Sequence, residues 1–295
     1  MSFPPLTPAF SMSHAVAQAS RLRVRRASRS SLALAAGRRP NPQPGTAALR
    51  TASRQLCGLV AFFGLLVFSS PTFSAEPVKL GDPVEGQELA RELRGTLPSQ
   101  EVIFNGVLRI SAPRTEPREV PIQSKIVLSK ESWSSVYTAK LPGGENETLT
   151  VRHFPDKPNE YELRRGEKAE QFSGAAATNS FAGSDFKLLD LGLEFFHWPT
   201  QMLATREMRK GRGCDVLESR PAQTNPYSRV LSWIDQQSRE QGQPGLLMAE
   251  AYDSRGQILK EFEIKGFKDG QVSEMEIRNR QTKTSTRLRF IFDKE

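Results

Sequence analysis

The first 75 residues of the chain contain no lysine, aspartate or glutamate, although the whole sequence has 41 basic and 33 acidic side chains. Their nine charged side chains are all arginines. The rest of the chain therefore keeps 32 basic and 33 acidic side chains, a formal charge of −1 instead of +8. The positive charge that would suggest nucleic-acid binding belongs to the first 75 residues, so we expect no nucleic-acid partner for the remainder.

Those first residues also lack the pattern of a folded segment. Residues 1–54 are rich in Ser, Ala, Pro and Arg, which is typical of disorder. Residues 56–68 form an uncharged apolar run, which as a helix would be about 20 Å long and shorter than the ~30 Å hydrocarbon core of a bilayer. Arginines precede this run and small residues follow it, as in a secretion signal. The sequence predicts an exported chain with a leader over residues 1–75, cleaved near Ser74 or Ala75.

The basic stretch before the apolar run is longer than a secretion signal requires. Two interpretations stay open: translation starts downstream of Met1, or the arginine-rich stretch is an organelle transit peptide. For the apolar run itself, an uncleaved membrane anchor is the alternative to a signal peptide.

Cysteine and histidine are scarce in the remaining domain, residues 76–295. Of the two cysteines in the sequence, only Cys214 lies there, so no internal disulfide can form. His153 and His197 lack the spacing of a metal site. The serine-hydrolase motif Gly-x-Ser-x-Gly and a phosphate-binding loop are also missing. We expect a single domain stabilised by packing, with no metal, no cofactor and no catalytic residue.

What the domain does contain is one helix signal followed by many short strands. Asp82 is placed to cap a helix that extends to about Arg94, with Val84, Leu89 and Leu93 on one side. Downstream, apolar and polar residues alternate in short runs that Gly, Pro and Asn clusters separate. This pattern predicts an antiparallel meander, either as a closed barrel or as a strongly curved sheet with helices on its concave side.

A second helix is predicted over residues 184–198, where apolar side chains repeat at helical spacing and Ser184 is placed to cap the helix. The repeating side chains are Phe186, Leu189, Leu193 and Phe196. Turns at 253–256 and 269–270 are expected to join neighbouring strands as hairpins.

The C-terminal half, over about residues 183–292, carries a resemblance to a known family. The pieces are GSDF at 183–186, DL at 190–191, KGRGCDVLE at 210–218, YSRVLSWID at 227–235, AEAYDSRG at 249–256, LK at 259–260, MEIRNRQTK at 275–283 and TRLRF at 286–290. In this order they resemble the bacterial outer-membrane lipoprotein-sorting proteins, the LolA-like periplasmic carriers. The order of the pieces is more specific than any one of them.

The resemblance implies an α+β fold that is mainly antiparallel β: an incomplete, open β-barrel of about 11–12 strands, with two or so helices covering the concave side. It also implies a non-enzymatic periplasmic carrier whose hydrophobic cavity binds the acyl chains of lipoproteins or lipids in outer-membrane lipoprotein sorting. Its partners would then include inner-membrane release machinery and an outer-membrane acceptor. This chain departs from the family in its polar segment 171–180 and has no clear counterpart of the family's cavity arginine.

A cavity of this kind needs apolar walls more than precise polar contacts, because each buried acyl CH₂ contributes about 0.8 kcal/mol. The candidate lining residues are Phe104, Leu108, Trp133, Trp233, Phe262, Ile264, Met275, Ile277, Phe290 and Phe292, with Phe196 and Trp198 on a lid. For each of them, ordinary core packing is the alternative. Two other functions are also considered: an envelope sensor or scaffold whose barrel binds a protein partner, and an envelope hydrolase.

Overall fold

The computed structural model describes residues 81–130, 132–223, 226–268 and 271–292. The predicted leader, with its apolar run and cleavage site, lies outside these residues, and so does the predicted turn at 269–270.

All the named strands in these ranges belong to one antiparallel sheet of 13 strands. They are β1 (Val102–Ser111), β2 (Arg118–Leu128), β3 (Trp133–Lys140), β4 (Asn146–His153), β5 (Glu160–Arg165), β6 (Lys168–Ser173), β7 (Thr200–Arg209), β8 (Arg212–Arg220), β9 (Arg229–Asp235), β10 (Gly245–Tyr252), β11 (Ile258–Lys268), β12 (Gln271–Asn279) and β13 (Thr284–Ile291).

The first and last strands pair with each other in the middle of the sheet. The order is β6-β5-β4-β3-β2-β1-β13-β12-β11-β10-β9-β8-β7, so β6 and β7 are the two edges. Among the described residues these edges do not pair, and the sheet is therefore open. This confirms the predicted fold class, an incomplete antiparallel barrel with few helices.

In the described residues, three α-helices accompany the sheet: α1 (Pro83–Gly95), α2 (Leu188–Leu191) and α3 (Gln236–Glu240). As predicted, Asp82 caps α1, and its Oδ1 accepts hydrogen bonds from the backbone N–H groups of Val84 and Glu85 at 2.8 and 3.1 Å. Val84 was wrongly placed on the buried side, since it is 68% exposed. Gly86 lies on the buried side instead. A Cβ at this position would lie 2.6 Å from the backbone N of Leu203, so the absence of a side chain lets α1 pack closely on β7.

Side chains alternate between the two faces of the sheet, as the period of two predicted. On β13, Leu288 and Phe290 are buried, whereas Arg289 between them is exposed. We call the face that carries Leu288 and Phe290 the inner face, and the opposite face the outer face.

Residues 174–198 connect β6 to β7 and cover the inner face; we call them the interior segment. Their apolar side chains join the same buried cluster as the inner face. They contain α2 and the 3₁₀ turns Gly174–Ala176 and Glu194–His197. The continuous helix predicted over 184–198 is therefore wrong, because Leu193 adopts a left-handed conformation with φ 51° that ends any helix there. Ser184 does not cap α2, whose N-cap residue is Lys187.

The structure also differs from the sequence pattern at β6. This strand begins in residues that do not show the alternation of apolar and polar side chains typical of a strand. Its six residues are mostly exposed, and pairing with β5 rather than burial fixes them in the sheet. None of the helices in the ranges given above is long and apolar enough to cross a membrane.

Candidate functional site

The predicted lining residues are brought together by the inner face, with the exception of Trp133 and Trp233. The others belong to one apolar cluster, and of these only Phe292 is partly rather than fully buried. They are Phe104, Leu108, Phe196, Trp198, Phe262, Ile264, Met275, Ile277, Phe290 and Phe292. The cluster is continuous because the register sets these side chains opposite one another: Phe262 pairs with Ile277, and Ile264 with Met275.

The two tryptophans lie outside this cluster. Trp133 is the first residue of β3 and shares the inner face with Tyr137, but it packs in a separate small cluster with Ile126, and its ring stacks on His153 at 3.9 Å between centroids. Trp233 lies on the outer face, since it stands between the inner-face positions Ser232 and Ile234 on β9.

Around Trp233 the outer face has an apolar cluster of its own. It contains Cys214, Val216, Trp233, Leu247 and Met248. The indole Nε1 of Trp233 donates to Glu207 Oε1 at 2.6 Å, and the guanidinium of Arg209 lies 4.9 Å from the ring centroid. The sheet therefore has apolar surface on both sides. Cys214 is buried in β8, and burial raises the pKa of its thiol to about 11.

In the described part of the chain, the apolar side chains of the inner face are buried in one cluster with those of the interior segment. A cavity of about 20 Å³ lies between the interior segment and β9 to β12, enough for one water molecule. Its apolar walls are Leu193, Phe195, Val230, Ala249, Ala251, Phe262 and Ile277, and its polar end is formed by Asp190, Tyr227 and Lys260. Two of the predicted lining residues, Phe262 and Ile277, thus border this cavity.

The polar end of the cavity is a buried ion pair with a tyrosine. Lys260 Nζ lies 3.3 Å from Asp190 Oδ2, and the hydroxyl of Tyr227 donates to Asp190 Oδ1 at 2.8 Å. Lys260, Asp190 and Tyr227 are 5%, 7% and 1% exposed. Burial, and then the charge of Asp190, raises the pKa of Tyr227 well above its usual value. At neutral pH the tyrosine is therefore a hydrogen-bond donor to the carboxylate.

A second carboxylate of the interior segment binds β13. Asp185 Oδ2 accepts from the hydroxyl of Thr286 at 2.9 Å, and its Oδ1 accepts from the hydroxyl of Thr284. Thr286 also accepts from the backbone N–H of Asp185 at 2.9 Å, and Lys260 donates to the backbone carbonyl of Asp185. The segment is thus attached to the inner face by charged and polar groups as well as by apolar packing.

At the other side of the segment, Glu194 contacts β5. Its Oε2 accepts from the hydroxyl of Tyr161 at 2.9 Å and from the backbone N–H of Asn159 at 3.2 Å. Glu194 is 1% exposed, and the described residues offer it no ion-pair partner. Burial raises the pKa of its carboxyl to about 7, although both hydrogen bonds oppose the shift.

The basic residues of the β7–β8 hairpin are already paired with carboxylates. Arg206 binds Asp215, Arg209 binds Glu250, Lys210 binds Glu263 and Arg212 binds Asp235. A polar groove of about 680 Å³ beside α1 and α3 is similarly neutralised, because Arg239 binds both Asp215 and Glu92. The described residues also hold no group of three His, Cys, Asp or Glu side chains that could bind a metal.

The buried polar groups at the inner face were not predicted. Lys260 could have been found, because the alternation that places Phe262 and Ile264 inside places Lys260 inside as well. A buried lysine requires an acidic partner. Asp190 and Tyr227, in contrast, reach Lys260 only through the irregular path of the interior segment and the turn before β9, which leaves no periodic signal.

Three comparisons with known proteins bear on this geometry. A family described as "Uncharacterized protein" matches residues 164–291. No curated protein matches the chain. A DUF1329 family protein from Desulfovibrio piger has a similar solved structure, with 19% identity, coverage of 71% of this chain and 92% of that one, and a TM-score of 0.57.

Two further solved structures carry descriptions closer to a function. One, from Vibrio parahaemolyticus, is described as an outer membrane lipoprotein-sorting protein domain; it shares 19% identity, covers 72% of this chain and 92% of that one, and has a TM-score of 0.57. The other is a LolA superfamily protein from Nitrosomonas europaea, with 15% identity, the same coverage and a TM-score of 0.50.

This chain has the LolA-like fold. At these identities the likeness concerns the fold, and it confirms the resemblance drawn from residues 183–292. The LolA-like sheet of this chain places the interior segment against the apolar wall that the predicted lining residues form.

Proposed function

We propose that this chain is a non-enzymatic periplasmic carrier that binds the acyl chains of lipids or lipoproteins on the inner face of its LolA-like sheet. One observation carries the proposal. The large apolar inner face is covered by one irregular segment of the same chain, residues 174–198, together with α1, rather than by a second sheet. Such a cover can be displaced without disrupting the pairing of the thirteen strands.

Displacement of the segment is a requirement of this proposal. Sites for small molecules usually measure about 300–1,000 Å³, whereas the cavity between the interior segment and β9 to β12 measures about 20 Å³. An acyl chain that takes the place of the segment's phenylalanines and leucines restores the apolar contacts that these side chains lose. Each CH₂ that it buries contributes about 0.8 kcal/mol.

The description of the Vibrio parahaemolyticus structure supports a role in lipoprotein sorting, and the predicted leader supports export. A sorting role would also require inner-membrane release machinery and an outer-membrane acceptor as partners.

Glu194 is the group that an enzyme hypothesis would use, because its pKa of about 7 suits acid–base chemistry. However, its carboxylate is buried and binds Tyr161 and Asn159. We interpret it as an attachment of the interior segment to β5.

The alternative, a sensor or scaffold that binds a protein, would use the outer face, where Trp233 belongs to a second apolar cluster whose members are at most 9% exposed. The two functions therefore use opposite faces of the sheet. This difference makes them separable by mutation.

The first experiment expresses the full chain with its own leader in a bacterium, purifies it from the periplasm and identifies bound compounds by mass spectrometry of organic extracts. We expect acyl lipids or an acylated protein in near-stoichiometric amount, and an intact mass that starts near residue 75. A protein that carries no acyl compound and does not bind a fluorescent acyl probe would contradict the proposal.

Two matched variants then assign the face. Phe262→Ala and Trp233→Ala each remove a buried aromatic ring, from the inner and the outer face respectively. We expect Phe262→Ala to weaken binding of the acyl probe about tenfold, because the wall loses apolar contact area. Trp233→Ala should leave probe binding unchanged. The reverse pattern would move the acyl site to the outer face and contradict the proposal.

A further inference from the structure

The carboxylates of the interior segment occupy a set of hydrogen-bond donors that belongs to the sheet and to the turn before β9. Asp185 accepts hydrogen bonds from two threonine hydroxyls. Asp190 accepts a hydrogen bond from the tyrosine hydroxyl and forms an ion pair with the lysine ammonium. These donors are Thr284, Thr286, Tyr227 and Lys260. The two aspartates of the interior segment therefore bind donors that belong to other parts of the chain.

These donors lie at one end of the apolar wall. In the register of the sheet, Lys260 and Thr284 stand in the same row, since both pair with Asn279. The next row contains Phe262, Ile277 and Thr286, and the row after it contains Ile264, Met275 and Leu288. At about 3.3 Å per residue, the wall continues for about 13 Å from Lys260 to Ile264. The inner face thus has a polar end and an apolar body.

Other charges of the sheet do not neutralise this end. Neighbouring carboxylates on β11 and β12 belong to the outer face and pair there: Glu261 with Arg280, Glu263 with Lys210, and Glu276 with Arg278. In the described part of the chain, Asp190 is the ion-pair partner of Lys260. If an uncharged ligand takes the place of the interior segment, the Lys260 ammonium is buried without a counter-charge, which is strongly unfavourable.

We propose that the interior segment occupies an anion site, and that the ligand is an acyl compound with an anionic headgroup. Its carboxylate or phosphate replaces Asp190 and Asp185 at Lys260, Tyr227 and Thr286, while its chain lies along Phe262 and Ile264. The inference rests on the proposed function, because it assumes that an acyl chain displaces the segment. It adds the chemistry of the headgroup and the residues that select it.

The test uses three ligands with the same twelve-carbon chain, below their micelle concentrations: dodecanoate, dodecyl phosphate and dodecanol. Isothermal titration calorimetry on the delipidated full chain measures their affinities. We expect at least one of the two anions to bind about tenfold or more tightly than the alcohol, as a charge-assisted hydrogen bond predicts. A difference between the carboxylate and the phosphate identifies the headgroup class.

Variants of the donor set make the test specific. Lys260→Met should remove the preference for the anions, and Lys260→Arg, which keeps the charge, should retain it. Asp190→Asn removes the negative charge that competes with the ligand for Lys260. This variant should therefore bind the anions more tightly than the wild type does. Tyr227→Phe, which leaves the ion pair intact, should reduce the preference by a smaller factor. Thermal unfolding of each variant checks that it is folded.

The outcomes are distinguishable. If dodecanol binds as tightly as both anions to the wild type, the anion site is wrong while acyl binding stands. If none of the three ligands binds, the anion site and the proposed function both fail. A preference for the anions that survives in a folded Lys260→Met variant also overturns the assignment.

Discussion

Ion pairs between the same residue types have different roles on the two faces of the sheet. On the outer face, ion pairs such as Arg152–Glu160 and Arg164–Glu162 lie between exposed side chains. On the inner face, the Lys260–Asp190 pair is almost fully buried and joins the sheet to the interior segment. Exposed pairs contribute about 0–1 kcal/mol, whereas removing one partner of a buried pair costs about 3–5 kcal/mol. The inner-face pair therefore helps to hold the cover, whereas exposed outer-face pairs such as these contribute little.

The largest expected effect comes from breaking the inner pair. Asp190→Ala leaves Lys260 without its counter-charge and Tyr227 without its acceptor, so we expect the free energy of unfolding to fall by about 3–5 kcal/mol. Urea denaturation measures this change. The control is Glu162→Ala on the outer face, which should cost less than about 1 kcal/mol. Equal losses in the two variants would contradict the difference between the faces.

A second pair of variants tests the contact between the interior segment and β5. A Cβ at Gly192 would lie 2.8 Å from the Cζ atom of Tyr161, so Gly192→Ala should displace the ring that binds Glu194. We expect a loss of about 1–3 kcal/mol in denaturant unfolding. At Gly95, where a Cβ would meet no neighbouring atom, the same substitution should be neutral or stabilising by up to about 1 kcal/mol. If Gly192→Ala does not lower the free energy of unfolding, the contact between the interior segment and β5 is loose.

A further test is the pH dependence of stability that Glu194 contributes. Its pKa is about 7 in the folded state and near 4.5 in the unfolded state, so the folded state binds more protons between these values. The contribution of Glu194 is therefore greatest below pH 4.5, falls by about 1.4 kcal/mol per pH unit up to about pH 7, and is constant above that.

Glu194→Gln should remove this slope, because glutamine stays neutral and its oxygen can still accept both hydrogen bonds. The variant should match the wild type near pH 4.5 and be more stable than it at pH 8, as measured by chemical denaturation across that range. Glu88→Gln, on the exposed side of α1, is the control and should keep the wild-type slope. A wild-type slope in Glu194→Gln would show that the carboxyl ionises freely.

Much of the fold could be predicted from the sequence because its signals are local. Alternation located the strands, as in Leu288 and Phe290, and Asp82 marked the start of α1. The family resemblance over residues 183–292 then indicated an open sheet rather than a closed barrel.

The errors occurred where tertiary contacts override local patterns. The helical spacing from Phe186 to Phe196 predicted a helix, but Leu193 breaks it, and the side-chain amide of Gln201 binds the carbonyls of Phe195 and Trp198. On β9, both faces are buried, so the sequence could not show that Trp233 points to the outer face. The polar end at Lys260 depends on Asp190, 70 residues away in sequence.

The central claim, that an acyl chain binds on the inner face, is tested most directly by photolabelling. The full chain is incubated with a twelve-carbon fatty acid that carries a diazirine near the end of its chain, irradiated and mapped by peptide mass spectrometry. We expect labels on inner-face residues of β11 to β13, such as Ile264, Met275 and Leu288. Labels confined to the outer-face cluster around Trp233, or the absence of specific labelling, would contradict it.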